Sequence, residues 1–249
     1  MEVWEEGNHG QYSDVPLVVG KIFVASSLLL LNSDVMHICS FDLKISFLCT
    51  GTTAQEVDLD PEPGEALLTW STDDLHTNVE RRLDAFSVGL ANRTLSQYLQ
   101  DSSRKVDAEL VYTSIATDMR VTCGNNRLAL LASEAMTSPV YRYVTTACPS
   151  SRVRLRGSSF EPKYSFHGVD MFAFMDSIGE IPDSFTRLLR NNIKSFANTG
   201  APQDADWLPY PLSVAILSEH LQVSAQYETF DCVTWKEEIE HFSNYSWTN

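Results

Sequence analysis

Positive charge is what this chain has least of. Only 18 lysines and arginines stand against 33 aspartates and glutamates across 249 residues, a formal net charge of −15. Nucleic acids and anionic membrane surfaces are bound by clustered Lys and Arg that neutralise phosphates, so this imbalance argues against both as partners. Long apolar runs are missing too. The richest, Ile22 to Leu31, has roughly half the ~20 residues a helix needs to cross a bilayer. Glu2, Glu5 and Glu6 occupy the place of a basic n-region, so no signal peptide is expected at this N-terminus. The five cysteines form no CxxC and no Cys/His spacing of the zinc-binding kind, and no metal site is expected. Internal repeats and low-complexity tracts are also absent.

What remains is a chain of ordinary globular composition, long enough to bury a sizeable core. Val15-Pro16-Leu17-Val18-Val19-Gly20 reads as a buried strand, and Pro139 to Thr146, dense in β-branched and aromatic residues, as another. Thr72 to Phe86 carries Leu75, Val79, Leu83 and Phe86 at the spacing of an amphipathic helix. Glu109 to Met136 repeats apolar residues at helical intervals, with a break expected at Gly124-Asn125. Phe185 to Phe196 is a further helix, closed by Asn198-Thr199-Gly200 and Pro202. Ser213 to Gln226 is expected to be irregular strand, and Asp231 to Phe242 a last helix. Helices alternating with single buried strands predict an α/β architecture. Cys39, Cys49, Cys123, Cys148 and Cys232, odd in number and widely spread, read from spacing alone as reduced thiols. Asn92-Arg93-Thr94 and Asn244-Tyr245-Ser246 are N-glycosylation sequons, short enough to arise by chance.

The chemistry-bearing segment is Tyr164-Ser165-Phe166-His167-Gly168-Val169-Asp170-Met171-Phe172-Ala173-Phe174. It is followed by Phe196-Ala197-Asn198-Thr199-Gly200-Ala201-Pro202 and by Trp207-Leu208-Pro209-Tyr210. In order and spacing these segments resemble the C-terminal part of type-B carboxylesterases and cholinesterase-like proteins. The resemblance is firm from Pro139 to Trp207 and looser over the rest. It implies the C-terminal portion of an α/β-hydrolase fold: an incomplete, mostly parallel sheet with flanking helices. It also implies that His167 is the general base of a Ser-Glu-His triad, and that Glu56, in Gly51-Thr52-Thr53-Ala54-Gln55-Glu56, is the acid. A triad of this kind uses a hydroxyl nucleophile, an imidazole that takes its proton and a carboxylate that orients the imidazole. In α/β-hydrolases the three follow the chain order Ser, Asp/Glu, His. The other histidines, His9, His37, His76, His220 and His241, belong to no motif.

The nucleophile is not in the sequence. No Gly-x-Ser-x-Gly occurs, and Gly157-Ser158-Ser159-Phe160-Glu161 lacks the second glycine and lies after Glu56 rather than before it. The oxyanion-hole segments are missing with it. The sequence therefore predicts a C-terminal fragment of a carboxylic ester hydrolase that supplies acid and base and is inactive alone. In the intact family member the substrate is a small carboxylic ester and no metal or organic cofactor is needed. Family and sequons together point to a secretory location. The alternative is a non-catalytic, cholinesterase-like module that works by adhesion or partner binding. Oligomeric state is not legible.

Three further expectations come from the resemblance. Cys123 and Cys232 match positions that pair in cholinesterase-like proteins; reduced thiols are the alternative. Closing a loop of about 110 residues stabilises by roughly 4–5 kcal/mol in the chain-entropy model. Phe172, Phe174 and Met175 are expected in the core, with a wall of the acyl or alcohol pocket as the other assignment. Residues 21–50 separate the Val15–Gly20 strand from the Gly51 to Glu56 loop, which the family joins directly. They read as an insertion or retained intron, against a genuine surface excursion.

Overall fold

The computed structural model describes residues 17–19, 47–99, 106–227 and 232. Five strands form one sheet, β1 (Leu17–Val19), β2 (Leu48–Thr53), β3 (Val140–Thr145), β4 (Val214–Leu217) and β5 (Leu221–Ser224), in that spatial order. β1 to β4 run parallel, and β5 folds back antiparallel on β4. Thr53 is paired with Thr145 and Thr145 with Leu217, so the carboxyl ends of the central strands finish level. β2 and β3 are buried along their whole length, as parallel strands covered on both faces are.

The order of the first two strands departs from the insertion reading. The strand that leads into Glu56 is Leu48–Thr53, and its first half, Leu48-Cys49-Thr50, belongs to the stretch assigned to the insert. Leu17–Val19 lies beside it at one edge of the described sheet, parallel to Leu48–Thr50. The physical reason is pairing on both sides: Leu48 to Thr53 makes a six-residue ladder with Val140 to Thr145 while its other edge receives β1.

Among the described residues four α-helices precede β3: α1 (Thr72–Leu83), α2 (Leu90–Tyr98), α3 (Ala108–Thr117) and α4 (Cys123–Ala135). α1 starts at Ser71, whose side chain caps the Asp74 N–H while Asp74 caps Ser71 in return, and it buries Leu75, Val79 and Leu83. The expected break at Gly124-Asn125 is not there. The chain instead widens into a π turn at Asp118–Thr122, and α4 runs on through Gly124, where a single glycine costs only about 1 kcal/mol. Among the described residues two α-helices follow β3, α5 (Val169–Met175) and α6 (Asp183–Thr199); α6 ends at Gly200, φ 75°, whose N–H bonds the Phe196 carbonyl. A Cβ at Gly200 would collide with the Phe47 ring. Ser213 to Gln226 resolves into the β4–β5 hairpin. The helix expected over 231–242 lies outside the described residues apart from Cys232.

Two cores result. One joins Tyr141 and Tyr143 of β3 to Phe166, Phe185, Phe196 and Trp207 on the α5–α6 side. The other lies within the α1–α4 layer, around Leu75, Leu83, Leu90, Leu95, Tyr112 and Ile115. The side chain between Tyr141 and Tyr143 points the other way, as alternation along a strand requires. It is Arg142, fully buried, donating to Thr52 Oγ1 (2.6 Å), to Asn126 Oδ1 (3.2 Å) and to the Tyr143 carbonyl. Burial pushes its guanidinium down to about 10.

Candidate active site

β2 stops at Thr53, and the chain turns at once. The Ala54 N–H donates to the Thr145 carbonyl at 2.9 Å, continuing the ladder one residue past the strand, and a 3₁₀ turn begins at Glu56. Glu56 is 4% exposed. Its Oε1 accepts the N–H of Thr53 at 2.9 Å, which folds the side chain back over the end of its own strand. Its Oε2 lies 2.6 Å from Nδ1 of His167, a residue 111 positions away. The pair stands just beyond the carboxyl ends of β2 and β3, where open parallel sheets place their sites.

His167 reaches this point on a loop anchored to the same strand ends. The Gln55 N–H donates to the Ser165 carbonyl at 3.0 Å, and the Ser165 N–H donates to Gln55 Oε1 at 3.3 Å. Ser165 Oγ–H donates to the Thr145 carbonyl at 2.8 Å. Phe166 is completely buried against Phe172, and Gly168 (φ 81°) takes the left-handed conformation that turns the chain into α5. The imidazole remains 31% exposed while the Glu56 side chain is sealed beneath it.

Chemically, the contact fixes a tautomer. A buried carboxylate against Nδ1 is matched by an N–H on that nitrogen, which leaves Nε2 as the basic nitrogen on the outward side of the ring. Among the described residues Glu56 is the one hydrogen-bond partner of the imidazole, and no hydroxyl nucleophile is bonded to it. Asp170 lies close behind. Burial pushes its carboxyl up, the Tyr143 hydroxyl that donates to it at 2.9 Å works against that, and the Glu56 charge adds to it. Gly51 makes room for Tyr143, since a Cβ at position 51 would overlap the tyrosine ring.

Other residues singled out from the sequence fall as follows. Cys123 and Cys232 are joined by a disulfide, Cα–Cα 5.4 Å. Cys49 is a buried thiol and Cys148 an exposed one, while Cys39 lies outside the described residues. Asn92 is exposed on α2, with Thr94 of the same sequon buried; Asn244 lies outside the described residues. Phe172 is partly buried in the α5–α6 core, but Phe174 (44% exposed) and Met175 (65%) are not core, because α5 presents that flank away from the sheet. Among the described residues no group of three His, Cys, Asp or Glu is placed to hold a metal ion, and no helix is long and apolar enough to cross a membrane.

Sequence reasoning missed the carboxylates around the pair. Asp58 accepts the backbone N–H groups of Lys163 (2.9 Å) and Tyr164 (2.8 Å), and Arg152 grips Glu109 with both terminal nitrogens. Nothing in Glu56-Val57-Asp58-Leu59-Asp60 distinguishes a buried acid from a solvated one.

No family model matches the sequence, and no curated protein sequence does. Solved structures do match. Aspergillus niger EstA is 15% identical with a TM-score of 0.52, over 76% of this chain and 39% of that one. An esterase from anaerobic Clostridium hathewayi that can hydrolyze aliphatic aromatic polyesters is 17% identical with a TM-score of 0.48, over 77% of this chain and 38% of that one. This chain therefore spans about two fifths of the length of each. The fold corresponds to part of the α/β-hydrolase fold. Glu56 and His167 meet at the carboxyl edge of its parallel strands.

Proposed function

We propose that this chain carries the acid and base of a serine-type carboxylic ester hydrolase of the type-B carboxylesterase kind. The serine and oxyanion hole come from protein outside these 249 residues. The observation that carries the reading is the 2.6 Å contact of a sealed Glu56 with Nδ1 of a half-open His167 at the carboxyl edge of a parallel sheet. In the reaction, His167 Nε2 takes the proton of the serine hydroxyl as Oγ bonds to the ester carbonyl carbon and the carbonyl π pair moves to oxygen. Glu56 stabilises the imidazolium without taking its proton. Nε2–H then protonates the departing alkoxide as the carbon–oxygen bond breaks, and the same nitrogen activates water to release the acid. The substrate is a small carboxylic ester, and no step calls for a metal or organic cofactor.

Residual catalysis in a triad lacking one member, about 10³–10⁴-fold over water, comes from the oxyanion hole and substrate binding. With those elsewhere, the chain alone gives no turnover of a nitrophenyl ester and no labelling by a fluorophosphonate. Joined to an in-frame upstream segment bearing Gly-x-Ser-x-Gly, it gains a titratable burst that His167→Ala abolishes. Active-site-titratable hydrolysis by the 249-residue chain by itself, or full activity of the joined protein with His167→Ala, would overturn the reading.

A further inference from the structure

The loop that carries His167 has two kinds of attachment. Its last residues are tied to strand ends through Ser165, and its preceding residues, Lys163 and Tyr164, are tied to a single buried carboxylate oxygen. Asp58 Oδ2 accepts both of their N–H groups, and Asp58 has no exposed surface. Asp58 sits in the same 3₁₀ turn as Glu56, two residues on. One short turn thus holds the imidazole through Glu56 and the backbone that delivers it through Asp58.

We propose that Asp58 is a positioning residue of this site, a buried carboxyl clamp that fixes the 163–167 segment against the 56–59 turn and so keeps His167 on Glu56. The proposal rests on the reading of Glu56 and His167 as acid and base. Asp58 does not touch the reacting atoms; it acts through the backbone.

The turn it belongs to is itself held from below by α3. The Val57 N–H donates to Thr117 Oγ1 at 3.2 Å, and Gln55 donates to Ser114 Oγ at 3.1 Å. Asp107, at the start of α3, receives the Tyr164 hydroxyl and, at 3.3 Å, Lys163 Nζ. These contacts hold side chains and the turn, whereas only Asp58 takes the two loop amides. Both bonds end on a carboxyl group with no exposed surface, so losing that acceptor takes from two loop amides the partner the fold provides.

The surroundings say which side chain could substitute. The other oxygen, Oδ1, is buried and receives no donor, and the Glu109 carboxyl of α3 lies beside Asp58. Burial pushes the Asp58 carboxyl up to about 7, the two amides pull it down and the Glu109 charge raises it again. A protonated Asp58 accepts from the loop on one side and donates toward Glu109 on the other. Asparagine reproduces that pattern, with its carbonyl toward the loop and its NH₂ toward Glu109. Leucine keeps the branched skeleton, with bulkier methyls in place of the oxygens, and removes the acceptor.

The test is the Nδ1 proton of His167 in the ¹⁵N-labelled 249-residue chain, read as a far-downfield resonance. It is assigned by its loss in Glu56→Gln, with folding followed by circular dichroism and by the Cys123–Cys232 bond. The expected result is a resonance present in the wild type, retained in Asp58→Asn and lost in Asp58→Leu. A wild-type resonance unmoved in folded Asp58→Leu would overturn the clamp and leave the acid–base reading intact. No such resonance in the wild type, or one indifferent to Glu56→Gln, would sink that reading and the clamp with it. Should Asp58→Leu fail to fold, hydrogen exchange in the wild type decides. The Lys163 and Tyr164 amides are expected to exchange about a hundredfold more slowly than unprotected amides, and exchange at the unprotected rate would overturn the proposal.

Discussion

Glu56 sits just past the end of β2, whereas His167 stands at the far end of a strap, residues 146–166, that carries neither helix nor strand. Glu56 is held by its own neighbourhood: the Thr53 N–H on one oxygen and a turn that starts where the strand stops. His167 is held from a distance. Ser150 N–H bonds the Glu180 carbonyl, Val153 N–H the Pro162 carbonyl, Arg152 reaches Glu109 on α3, and Asp58 takes the amides of Lys163 and Tyr164. A short connection inherits its geometry from the strand, while a long one must have its entropy removed contact by contact. The His167 side should therefore be the half of the site that remote substitutions can disturb without touching the sheet.

The largest effect that would break this comparison is at Phe166, fully buried beside the histidine and packed on Phe172. Phe166→Ala should cost about 3–5 kcal/mol, the range for truncating a buried aromatic, measured by urea unfolding, and should dislodge His167 from Glu56. Equal loss of stability with the His167 Nδ1 proton unshifted would show that the strap's packing does not set the base. Next is Gly51→Ala on the acid side. The added methyl overlaps the Tyr143 ring and displaces its hydroxyl from Asp170, for about 1–3 kcal/mol of overpacking. Here the Nδ1 proton should persist, because Glu56 is fixed by Thr53 rather than by the ring. Its loss would place acid and base under one common control. Smaller again, Ser165→Ala removes the bond to the Thr145 carbonyl and should cost about 1 kcal/mol. The Gln55–Ser165 backbone bond remains to hold the register.

How much of this was readable before the fold follows the same division. His167 was legible because its signal is contiguous: aromatic, His, Gly, one residue, Asp, then phenylalanines. For Glu56 the Thr-Thr-Ala-Gln before it is uninformative, and the signal lay in the strand expected ahead of the loop; the strand that feeds Glu56 is Leu48–Thr53 rather than Val15–Gly20. Val15 to Gly20 has the valine-rich look of a buried strand, while Leu48-Cys49-Thr50 acquires strand character only by pairing with β3 and β1. The helix through Gly124 was read as broken because local propensity weighs the glycine and cannot weigh the packing that overrides it. Phe174 and Met175 looked like core by composition, yet α5 is only two turns long and buries just Val169 and Ala173 fully. Asp58 was invisible for the strongest reason: its meaning is created by amides 105 and 106 residues away.

The gentlest perturbation is pH, and it sharpens the comparison through Asp58. Its ordinary value of 3.8 is raised to about 7 on folding, chiefly by burial. The folded protein thus binds this proton more tightly than the unfolded chain. The associated stability is present in full below about pH 4 and is lost as pH rises through about 7. The groups facing Asp58 are Glu109 on α3, Arg152, Lys163 and Tyr164 on the strap, and Cys148 just after β3, with Asp107 behind Lys163 and Tyr164 at the N-cap of α3. Several stay outside the window. Burial would raise Asp107, but the Tyr164 hydroxyl, the Leu110 N–H and Lys163 hold it below its ordinary value, while Tyr164 and Cys148 are pushed upward and Arg152 remains charged. Asp58→Asn cannot titrate and keeps the acceptor. Its unfolding free energy minus that of the wild type should therefore grow as pH is raised from about 5 to about 8, by at most about 1.4 kcal/mol per pH unit for a single proton. A difference that stays flat across that interval would mean that the buried carboxyl is already ionised at pH 5. The loop amides would then outweigh burial and Glu109 together, and the histidine strap would be held by a charge rather than by a neutral acid.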